Sequence, residues 1–495
     1  MPARSLPVVT NFDGDALESH GPQSWDLDDR PHDECGVVAI SGIEDAAQEA
    51  FLAMYALQHR GQEAGGIVAF DGEMGRVHKG GGLVSEIFSP EALARLTGST
   101  AVGHVRYSTA GGRDVANIQP ITARYARGDL ALAHNGNLTN QLNLRKQLVD
   151  EGAIFRSSSD SETLVHLIAK SRKDTVDGQV RDALSHLEGA FSMALAIDDT
   201  IYAARDPRGF RPLMLGRKGN GHVVVSETCA LDILGAEYVR DLEPGEVIKI
   251  RGDEVTNLPS LDPAPIPSPC IFELVYFARP DSRLWGVSVD RARRAFGRQL
   301  AREHAVEADA IISVPDSANS AALGYSEESG IPFELGLLRN HYVGRTFIQP
   351  DQKDRDFGAR MKYNPVREVL EGQRVVVVDD SLVRGTTSRS LVRMLRAAGA
   401  REVHFRIGSP PVQYPCFYGI DMPTRGELIA SQLDVTGIAR RLGVDSLGYL
   451  SLEGMVDAVA HAGPYCTACF SGEYPAPLVD VEKGLASREG PRAEV

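Results

Sequence analysis

Cys35 is the residue whose position most suggests chemistry, because it opens the apolar run CGVVAI directly behind residues 1–34, which differ in character. A thiol near its ordinary pKa is mostly protonated at neutral pH and needs a base before it can attack. If the chain began at Cys35, its own α-amino group, with a pKa of about 7.7–8.0, would be that base. The acidic, turn-rich residues 11–34 lack helical or alternating apolar patterns, so residues 1–34 are predicted to be a leader that is removed. A buried strand cysteine behind an unstructured terminus is the alternative interpretation.

Three further stretches carry side chains that suit the binding and hydrolysis of an amide substrate. Arg106 in GHVRYSTAG can bind a carboxylate through two hydrogen bonds. Asn135 and Gly136 in AHNGNLTN offer an amide and an unobstructed backbone N–H, which together can form an oxyanion hole. Asp160 in SSSDSETLVHL can bind an ammonium group. Each residue also has an ordinary explanation, namely a structural arginine, an Asn-Gly turn and a helix N-cap.

Residues 373–400, QRVVVVDDSLVRGTTSRSLVRMLRAAGA, predict a phosphate site. Four valines indicate a strand buried on both faces, and Asp379 and Asp380 follow at its carboxyl end, where open α/β sheets bind ligands. The turn that starts at Arg384 leads into a helix whose first N–H groups and hydroxyls suit a phosphate. Two acidic side chains beside a phosphate indicate that ribose hydroxyls and a divalent cation are bound as well. A strand followed by an ordinary helix cap is the alternative.

The elements that must position these residues divide the chain into two parts. Residues 35–257 alternate short apolar runs with glycine-rich turns and contain few helical patterns, which predicts an α+β arrangement of two sheet layers covered by helices. Residues 258–270 are proline-rich and predict a semi-rigid linker. Residues 271–478 alternate strands and helices, which predicts a doubly wound parallel sheet. Helices are expected near residues 289–304, 318–328 and 388–398, and a disordered tail over residues 479–495.

Composition and charge restrict the class of protein. A net charge of −15 argues against nucleic acid as the main partner, and no apolar run approaches the length of a membrane span. Six cysteines in 495 residues are too few for a disulfide scaffold, and no secretory signal is present, so a cytoplasmic location is predicted. Cys229 is expected to pack in a core. The remaining cysteines could bind zinc, bind an iron–sulfur cluster or simply be buried: Cys270, Cys416, Cys466 and Cys469.

The stretch VVVVDDSLVRGTTS resembles the diphosphoribose-binding signature of type I phosphoribosyltransferases. The resemblance implies that Asp379 and Asp380 hold ribose hydroxyls or Mg²⁺. The earlier SVPDSANSAA resembles the loop near the pyrophosphate and its metal, with Ser317 at the matching position as a further Mg²⁺ ligand. The 5′-phosphate would be bound by Arg384, Gly385, Thr386, Thr387 and Ser388.

Residues 345–366 form a charged stretch between these two motifs. Alone, such a stretch is a solvated loop, whereas beside a substrate with two phosphate groups it predicts a cationic lid that closes on binding. Its cationic residues are Arg345, Lys353, Arg355, Arg360 and Lys362.

The stretches CGVVAI, GHVRYSTAG, HNGNLTN and SDSE, in this order, resemble class II glutamine amidotransferases with an N-terminal nucleophile. The resemblance implies an αββα sandwich in which Cys35 attacks the side-chain amide of glutamine and releases ammonia. Asn135 and Gly136 would stabilise the oxyanion, and Arg106 and Asp160 would bind the α-groups of glutamine.

Both parts together resemble amidophosphoribosyltransferases from Cys35 to about Pro477. The resemblance implies that ammonia from glutamine passes to a second site and replaces the pyrophosphate of phosphoribosyl pyrophosphate, which gives 5-phosphoribosylamine for purine synthesis. It further implies Mg²⁺, a homotetramer and feedback inhibition by purine nucleotides. The Bacillus-like branch, with a cleaved leader, implies a 4Fe–4S cluster on Cys270, Cys416, Cys466 and Cys469.

Two other functions share part of this pattern. A sugar-phosphate amidotransferase would share the glutaminase part, but DDSLVRGTTS argues against it because that enzyme needs a sugar-isomerase domain. A non-catalytic sensor of phosphoribosyl pyrophosphate that controls genes would need a basic surface and no glutaminase part. The net charge and the residues around Cys35 disfavour the sensor.

Overall fold

The computed structural model describes residues 35–72, 74–107, 115–340, 362–422, 424–460 and 463–480. The predicted leader, residues 1–34, and residues 481–495 of the predicted tail lie outside the described residues. Among the residues described, no helix is both long and apolar enough to cross a bilayer.

The first part consists of strands and helices in an αββα arrangement. Its strands are β1 (Gly36–Ser41), β2 (Ala64–Phe70), β3 (Gly75–Gly81), β4 (Thr100–Arg106), β5 (Ile121–Tyr125), β6 (Gly128–Leu138), β7 (Gly189–Ile197), β8 (Thr200–Arg205), β9 (Met214–Lys218), β10 (Gly221–Val225), β11 (Glu237–Asp241), β12 (Val247–Arg251) and β13 (Glu254–Asn257). Its helices are α1 (Ala46–Ala56), α2 (Val84–Ile87), α3 (Pro90–Ala94), α4 (Gln141–Asp150), α5 (Ser161–Lys170), α6 (Val176–Leu184) and α7 (Thr228–Leu234), with 3₁₀ turns at Gln58–Arg60 and Val115–Asn117.

These strands form two antiparallel sheets that pack face to face. One sheet has the order β11-β9-β10-β1-β4-β2-β3, and the other has the order β13-β12-β8-β7-β6-β5. Small and branched side chains, among them Val37, Val102 and Ala133, fill the space between the sheets. Helices α1 and α7 cover the outer face of the first sheet, and α5 and α6 cover that of the second. The predicted αββα sandwich is therefore confirmed.

The second part consists of a parallel sheet and its helices. Its strands are β14 (Arg283–Leu284), β15 (Val287–Ser288), β16 (Ala310–Ser313), β17 (Leu337–Arg339), β18 (Tyr363–Pro365), β19 (Arg374–Asp379), β20 (Glu402–Ile407) and β21 (Ser446–Tyr449). Its helices are α8 (Val289–Glu303), α9 (Asn319–Ser329), α10 (Arg367–Leu370), α11 (Thr386–Ala397), α12 (Ile429–Gln432), α13 (Val435–Leu442), α14 (Leu452–Ala458) and α15 (Ala468–Ser471), with a π-helical segment at Glu273–Phe277 and a 3₁₀ turn at Arg425–Glu427.

The four valines of β19 explain why this sheet forms. The parallel order is β16-β19-β20-β21, so β19 lies inside the sheet. Val376 and Val378 pack with α8 and α9 on one face, whereas Val375 and Val377 pack with α11 on the other. This alternation is the period of two expected of a strand buried on both faces. The predicted parallel-sheet domain is therefore confirmed.

The expected helices differ from the observed ones by one or two residues. The helix expected at residues 388–398 begins earlier, at Thr386, because Gly385 adopts a left-handed φ of 78° and turns the chain into the helix at once. The hydroxyls of Thr386, Thr387 and Ser388 therefore lie in the first helical turn.

Residues 258–270 are anchored to the first part by backbone hydrogen bonds. The N–H groups of Leu258, Leu261, Ala264 and Ser268 donate to carbonyls of residues 207–247. At its end, the backbone of Cys270 forms an isolated parallel β-bridge with that of Cys466, which ties the segment to the far end of the second part.

Candidate active site

The predicted nucleophile lies at one end of the sandwich. Cys35 directly precedes β1 and is buried, with its Sγ 3.7 Å from the carbonyl oxygen of Tyr107. Burial raises the pKa of the Cys35 thiol, and a backbone hydrogen bond of Tyr107 and the positive charge of Arg106 offset only part of that rise. The thiol therefore needs a base, as the sequence analysis assumed.

Asn135 and Gly136 lie within β6 rather than in a turn, so the alternative of an Asn-Gly turn is wrong. Both polar atoms of the Asn135 amide are buried and have no hydrogen-bond partner among the described residues. An unpartnered buried amide costs free energy unless a ligand uses it. Gly136 has a φ of 143°, and a Cβ there would lie 2.0 Å from the carbonyl oxygen of Ala190, so only glycine fits.

Asp160 precedes α5 but does not cap it. Its carboxylate accepts hydrogen bonds from the Leu138 N–H of β6 at 3.1 Å and from Ser161 Oγ at 3.2 Å. Burial alone would raise the pKa of Asp160, but His134, with its Nδ1 3.6 Å away, and these hydrogen bonds hold that pKa below its ordinary value. Asp160 thus remains a buried carboxylate, as an ammonium-binding group requires.

The charges of Arg106 and Asp160 both act on the Cys35 thiol, so the structure brings these three predicted residues together. A direct link also joins the two sheets at this end, because His104 Nε2 of β4 lies 3.1 Å from the carbonyl oxygen of His134 in β6. Burial lowers the pKa of His104 to about 3, so its imidazole is neutral and serves as a structural spacer.

Arg60 is a buried residue beside the nucleophile that the sequence analysis missed. Its Nε donates to the carbonyl oxygen of Cys35 at 3.3 Å. Its two terminal nitrogens donate to Glu273 at 2.9 and 2.7 Å, and Nη1 also donates to Glu227 at 2.6 Å. Burial alone would lower the pKa of Arg60, but the two carboxylates raise it above its ordinary value. Arg60 ends the helical pattern AQEAFLAMYALQHR, which gave no sign of a partner more than 200 residues away.

The predicted phosphoribosyl site forms at the carboxyl end of β19. Asp379 and Asp380 are buried, and the Asp380 N–H donates to Asp379 Oδ1 at 3.0 Å. Ser317 Oγ donates to Asp380 Oδ2, and Ser381 Oγ donates to Asp380 Oδ1 at 2.7 Å. The structure therefore places Ser317 beside the acidic pair, although it lies 63 residues earlier. These carboxylate and hydroxyl oxygens are the donor set that suits Mg²⁺.

The predicted phosphate turn follows directly. Gly385 turns the chain into α11, so the first helical turn, which starts at Thr386, lies at the positive end of the helix dipole. Arg384 lies at this turn and pairs with Glu427 at 3.2 Å. Four residues of the predicted cationic lid lie outside the described residues: Arg345, Lys353, Arg355 and Arg360. The fifth, Lys362, has its Nζ 5.7 Å from the ring centre of Tyr363.

The four remaining cysteines converge on one region, and all are free thiols. Backbone hydrogen bonds join Cys466 to Pro269 and Ile271, on either side of Cys270. Cys416 Sγ accepts from the Tyr418 N–H at 3.3 Å. Burial raises the pKa of Cys270 to about 11. The charge of Arg211 offsets part of this rise, whereas the neighbouring Cys416 adds to it. Burial first, and the neighbouring cysteines after it, also raise the pKa of Cys466 and Cys469.

Two kinds of metal group could bind these cysteines, a single zinc ion or a 4Fe–4S cluster. Within the described ranges, no three His, Cys, Asp or Glu side chains are close enough to share a single metal ion. A single zinc ion needs four ligands around one point, whereas a 4Fe–4S cluster takes one cysteine on each of its irons. Four converging thiols are a soft donor set of the kind that both zinc and a 4Fe–4S cluster take.

The chain is similar to known proteins over most of its length. A family model described as a glutamine amidotransferase domain matches residues 104–232. The amidophosphoribosyltransferase of Bacillus subtilis (strain 168) is 50% identical over 451 residues, which cover 90% of this chain and 94% of that protein. The amidophosphoribosyltransferase of Rhizobium etli is 47% identical over 491 residues, which cover 97% and 96%. A solved structure of the B. subtilis glutamine phosphoribosylpyrophosphate amidotransferase, complexed with ADP and GMP, has a TM-score of 0.85 at 48% identity and covers 90% of this chain and 98% of that one.

Proposed function

The chain belongs to the amidophosphoribosyltransferase family, and from that premise we propose which of its residues carry out the reaction. The enzyme converts phosphoribosyl pyrophosphate, glutamine and water to 5-phosphoribosylamine, glutamate and pyrophosphate in purine biosynthesis. The proposals concern the mature N-terminus, the residues of the two sites, the metal groups and the regulation.

In the glutaminase site, removal of residues 1–34 gives Cys35 a free α-amino group, which takes the thiol proton. The thiolate then attacks the side-chain amide of glutamine, and the same proton passes to the departing ammonia, which leaves a thioester on Cys35. Water hydrolyses that thioester, which releases glutamate and restores the thiol. Arg106 binds the α-carboxylate and Asp160 binds the α-ammonium group. Asn135 and the N–H of Gly136 donate to the oxyanion. The observation that carries this assignment is the buried Asn135 amide, whose donors lack a partner in the described structure.

In the second site, the residues of the turn bind the 5′-phosphate, and the ammonia attacks the anomeric carbon as pyrophosphate leaves. Asp379, Asp380 and Ser317 would hold Mg²⁺, which neutralises the charge of the pyrophosphate when it is bound. Their cluster of oxygens at one strand end supports this proposal. The turn residues are Arg384, Gly385, Thr386, Thr387 and Ser388.

The four cysteines would hold a 4Fe–4S cluster with a structural role, because neither half-reaction transfers electrons. We further propose a homotetramer that works in the cytoplasm and is inhibited by purine nucleotides. A relative crystallised with ADP and GMP supports the nucleotide part of this proposal.

One experiment tests the division of labour between the two sites. The intact mass of the purified protein should correspond to loss of residues 1–34. Cys35→Ala should abolish synthesis from glutamine and leave synthesis from ammonium salts, whereas the buried Cys229→Ala control should retain both. An active protein that still carries Glu34 would contradict the role of the α-amine. Loss of ammonia-dependent synthesis in Cys35→Ala would contradict the separation of the sites.

A further inference from the structure

A short segment of the second part packs directly on the proposed oxyanion strand of the first part. The segment consists of residues 417–419, which we name the support segment. Gly419 approaches Gly136 so closely that a Cβ on Gly419 would lie 2.9 Å from the Gly136 Cα and 3.0 Å from its carbonyl carbon. On the other side, a Cβ on Gly136 would meet the carbonyl oxygen of Ala190. Gly136 is therefore held between strand β7 and the support segment.

The support segment also bonds to the residue after Gly136. The Asn137 side-chain Nδ2 donates to the carbonyl oxygen of Phe417 at 3.0 Å. The contact joins residues 280 positions apart in the chain, so it depends on the packing of the two parts. The backbone of Gly136 and the side chain of Asn137 are thus both fixed from the second part.

The support segment is itself held in place. Arg211 donates from Nε and Nη2 to the carbonyl oxygen of Tyr418 at 2.9 and 2.7 Å. The Tyr418 ring stacks on Phe210 with centroids 4.3 Å apart, and its hydroxyl donates to the carbonyl oxygen of Ala476 at 2.8 Å and accepts from the Ala476 N–H at 3.0 Å. Buried, hydrogen-bonded partners of this kind leave the segment little freedom to move.

We infer that Phe417 and Gly419 are positioning residues for glutamine hydrolysis, because they hold Gly136 in the conformation that aims its N–H at the oxyanion. The inference rests on the proposed oxyanion role of Asn135 and Gly136. Donors stabilise an oxyanion only when they point at the position the charged oxygen will occupy, so a small displacement of the Gly136 backbone lowers the rate. The glutaminase would then be completed by the phosphoribosyl part of the same chain.

Gly419→Ala tests the inference, because the added methyl group must displace Gly136. Loss of one oxyanion donor lowers kcat about 100-fold to 1,000-fold, so displacement of one should lower the glutaminase kcat by about tenfold to 100-fold. The KM for glutamine should stay within about threefold, and synthesis from ammonium salts should stay within about twofold, because neither depends on the oxyanion.

Gly463→Ala is the matched control. Gly463 also lies in the second part and has a left-handed φ of 103°, close to the 111° of Gly419, but no atom of the described residues lies within 4 Å of its Cβ position. Both variants therefore place an alanine at a left-handed φ, but only the alanine at position 419 meets the backbone of Gly136. Gly463→Ala should leave the glutaminase kcat unchanged.

Binding of a transition-state analogue separates positioning from general damage. The thiol of Cys35 adds to the aldehyde of glutamate γ-semialdehyde: the S–H bond and the C=O π bond break, the S–C bond forms, the thiol proton passes to the α-amino group, and the former aldehyde oxygen occupies the oxyanion position. Glutamate binds the same α-groups without forming that oxygen. Gly419→Ala should weaken binding of the semialdehyde by about tenfold or more and leave glutamate binding unchanged. Equal weakening of both ligands would overturn the inference.

Two further variants make the result decisive. Asn137→Ala removes only the bond to Phe417 and should show the same pattern more weakly, which keeps the inference testable if Gly419→Ala does not fold. Asn135→Ala tests the proposed function on its own: unchanged semialdehyde binding there would mean that Asn135 is not an oxyanion donor. Weakened binding in Asn135→Ala with unchanged binding in both Gly419→Ala and Asn137→Ala would overturn the positioning role alone.

Discussion

The buried charge cluster beside Cys35 gives a prediction whose magnitude follows from the structure. Arg60 and Arg211 face Glu227 and Glu273, so two guanidinium groups balance two carboxylates, and all four side chains are fully buried. Glu273→Gln keeps the shape of the side chain but removes one negative charge and leaves a net positive charge in the interior. It also turns an NH₂ group toward a guanidinium that needs an acceptor. Breaking a buried pair by removing one partner costs about 3–5 kcal/mol, so the free energy of unfolding should fall by that amount.

The measurement is the urea midpoint of Glu273→Gln beside that of Asp199→Asn. Asp199 pairs with Arg251 at 3.2 Å, but both side chains are exposed, at 43% and 66%, so its loss should cost less than about 1 kcal/mol. Since Arg60 also donates to the carbonyl oxygen of Cys35, glutamine-dependent synthesis should fall more than ammonia-dependent synthesis in Glu273→Gln. A loss of stability no larger than that of Asp199→Asn would refute the assignment of a balanced buried cluster.

Three other predictions concern single sites. Asp379→Asn combined with Asp380→Asn should abolish synthesis from both glutamine and ammonia, measured as 5-phosphoribosylamine formed, while glutamate release persists; retained synthesis would remove the acidic pair from the phosphoribosyl site. Arg106→Lys should raise the KM for glutamine by about tenfold, because lysine cannot form the two parallel bonds of a guanidinium to a carboxylate; an unchanged KM would argue for a structural arginine. Burial would raise the pKa of Glu227, but His59 and then Arg60 hold it well below its ordinary value. Its contribution to the free energy of unfolding is therefore complete above a pH of about 4.3 and is lost as the pH falls further. Glu227→Gln should make the free energy of unfolding less dependent on pH in the acid range, and an unchanged dependence would contradict this.

The sequence was sufficient where a signal is local. The strand VVVVDD and the turn RGTTS could be predicted because burial on both faces and a turn at a strand end leave a pattern within a few residues. The partners Arg60–Glu273 and Gly136–Gly419 could not be predicted, since a buried ion pair or a close glycine contact between distant segments has no local pattern. A lone arginine at the end of a helical run is usually a solvated residue.

Asn135 and Gly136 show a different limit. The dipeptide favours a turn by its own preferences, yet it lies inside an 11-residue strand. The register of β6 with β7, which runs from Leu130–Ile197 to Leu138–Gly189, overrides the local preference. A pair that favours a turn does not help this strand to fold, so its presence in β6 indicates a function. The buried Asn135 amide without a partner and the positive φ of Gly136 are consistent with that function.

Each of the two residues that attach the glutaminase part to the second part lies three positions after a cysteine. Glu273, which holds Arg60, follows Cys270 by three residues, and Gly419, which holds Gly136, follows Cys416 by three residues. A group that binds both cysteines would therefore fix the nucleophile side and the oxyanion side relative to each other. Cys416→Ser should consequently yield less soluble protein than the buried Cys229→Ser control. In the soluble fraction, the ratio of glutamine-dependent to ammonia-dependent synthesis should fall, because the support segment loosens while β19 and its acidic pair stay in place. An unchanged ratio in folded Cys416→Ser would mean that the cysteines stabilise the chain without holding the glutaminase site.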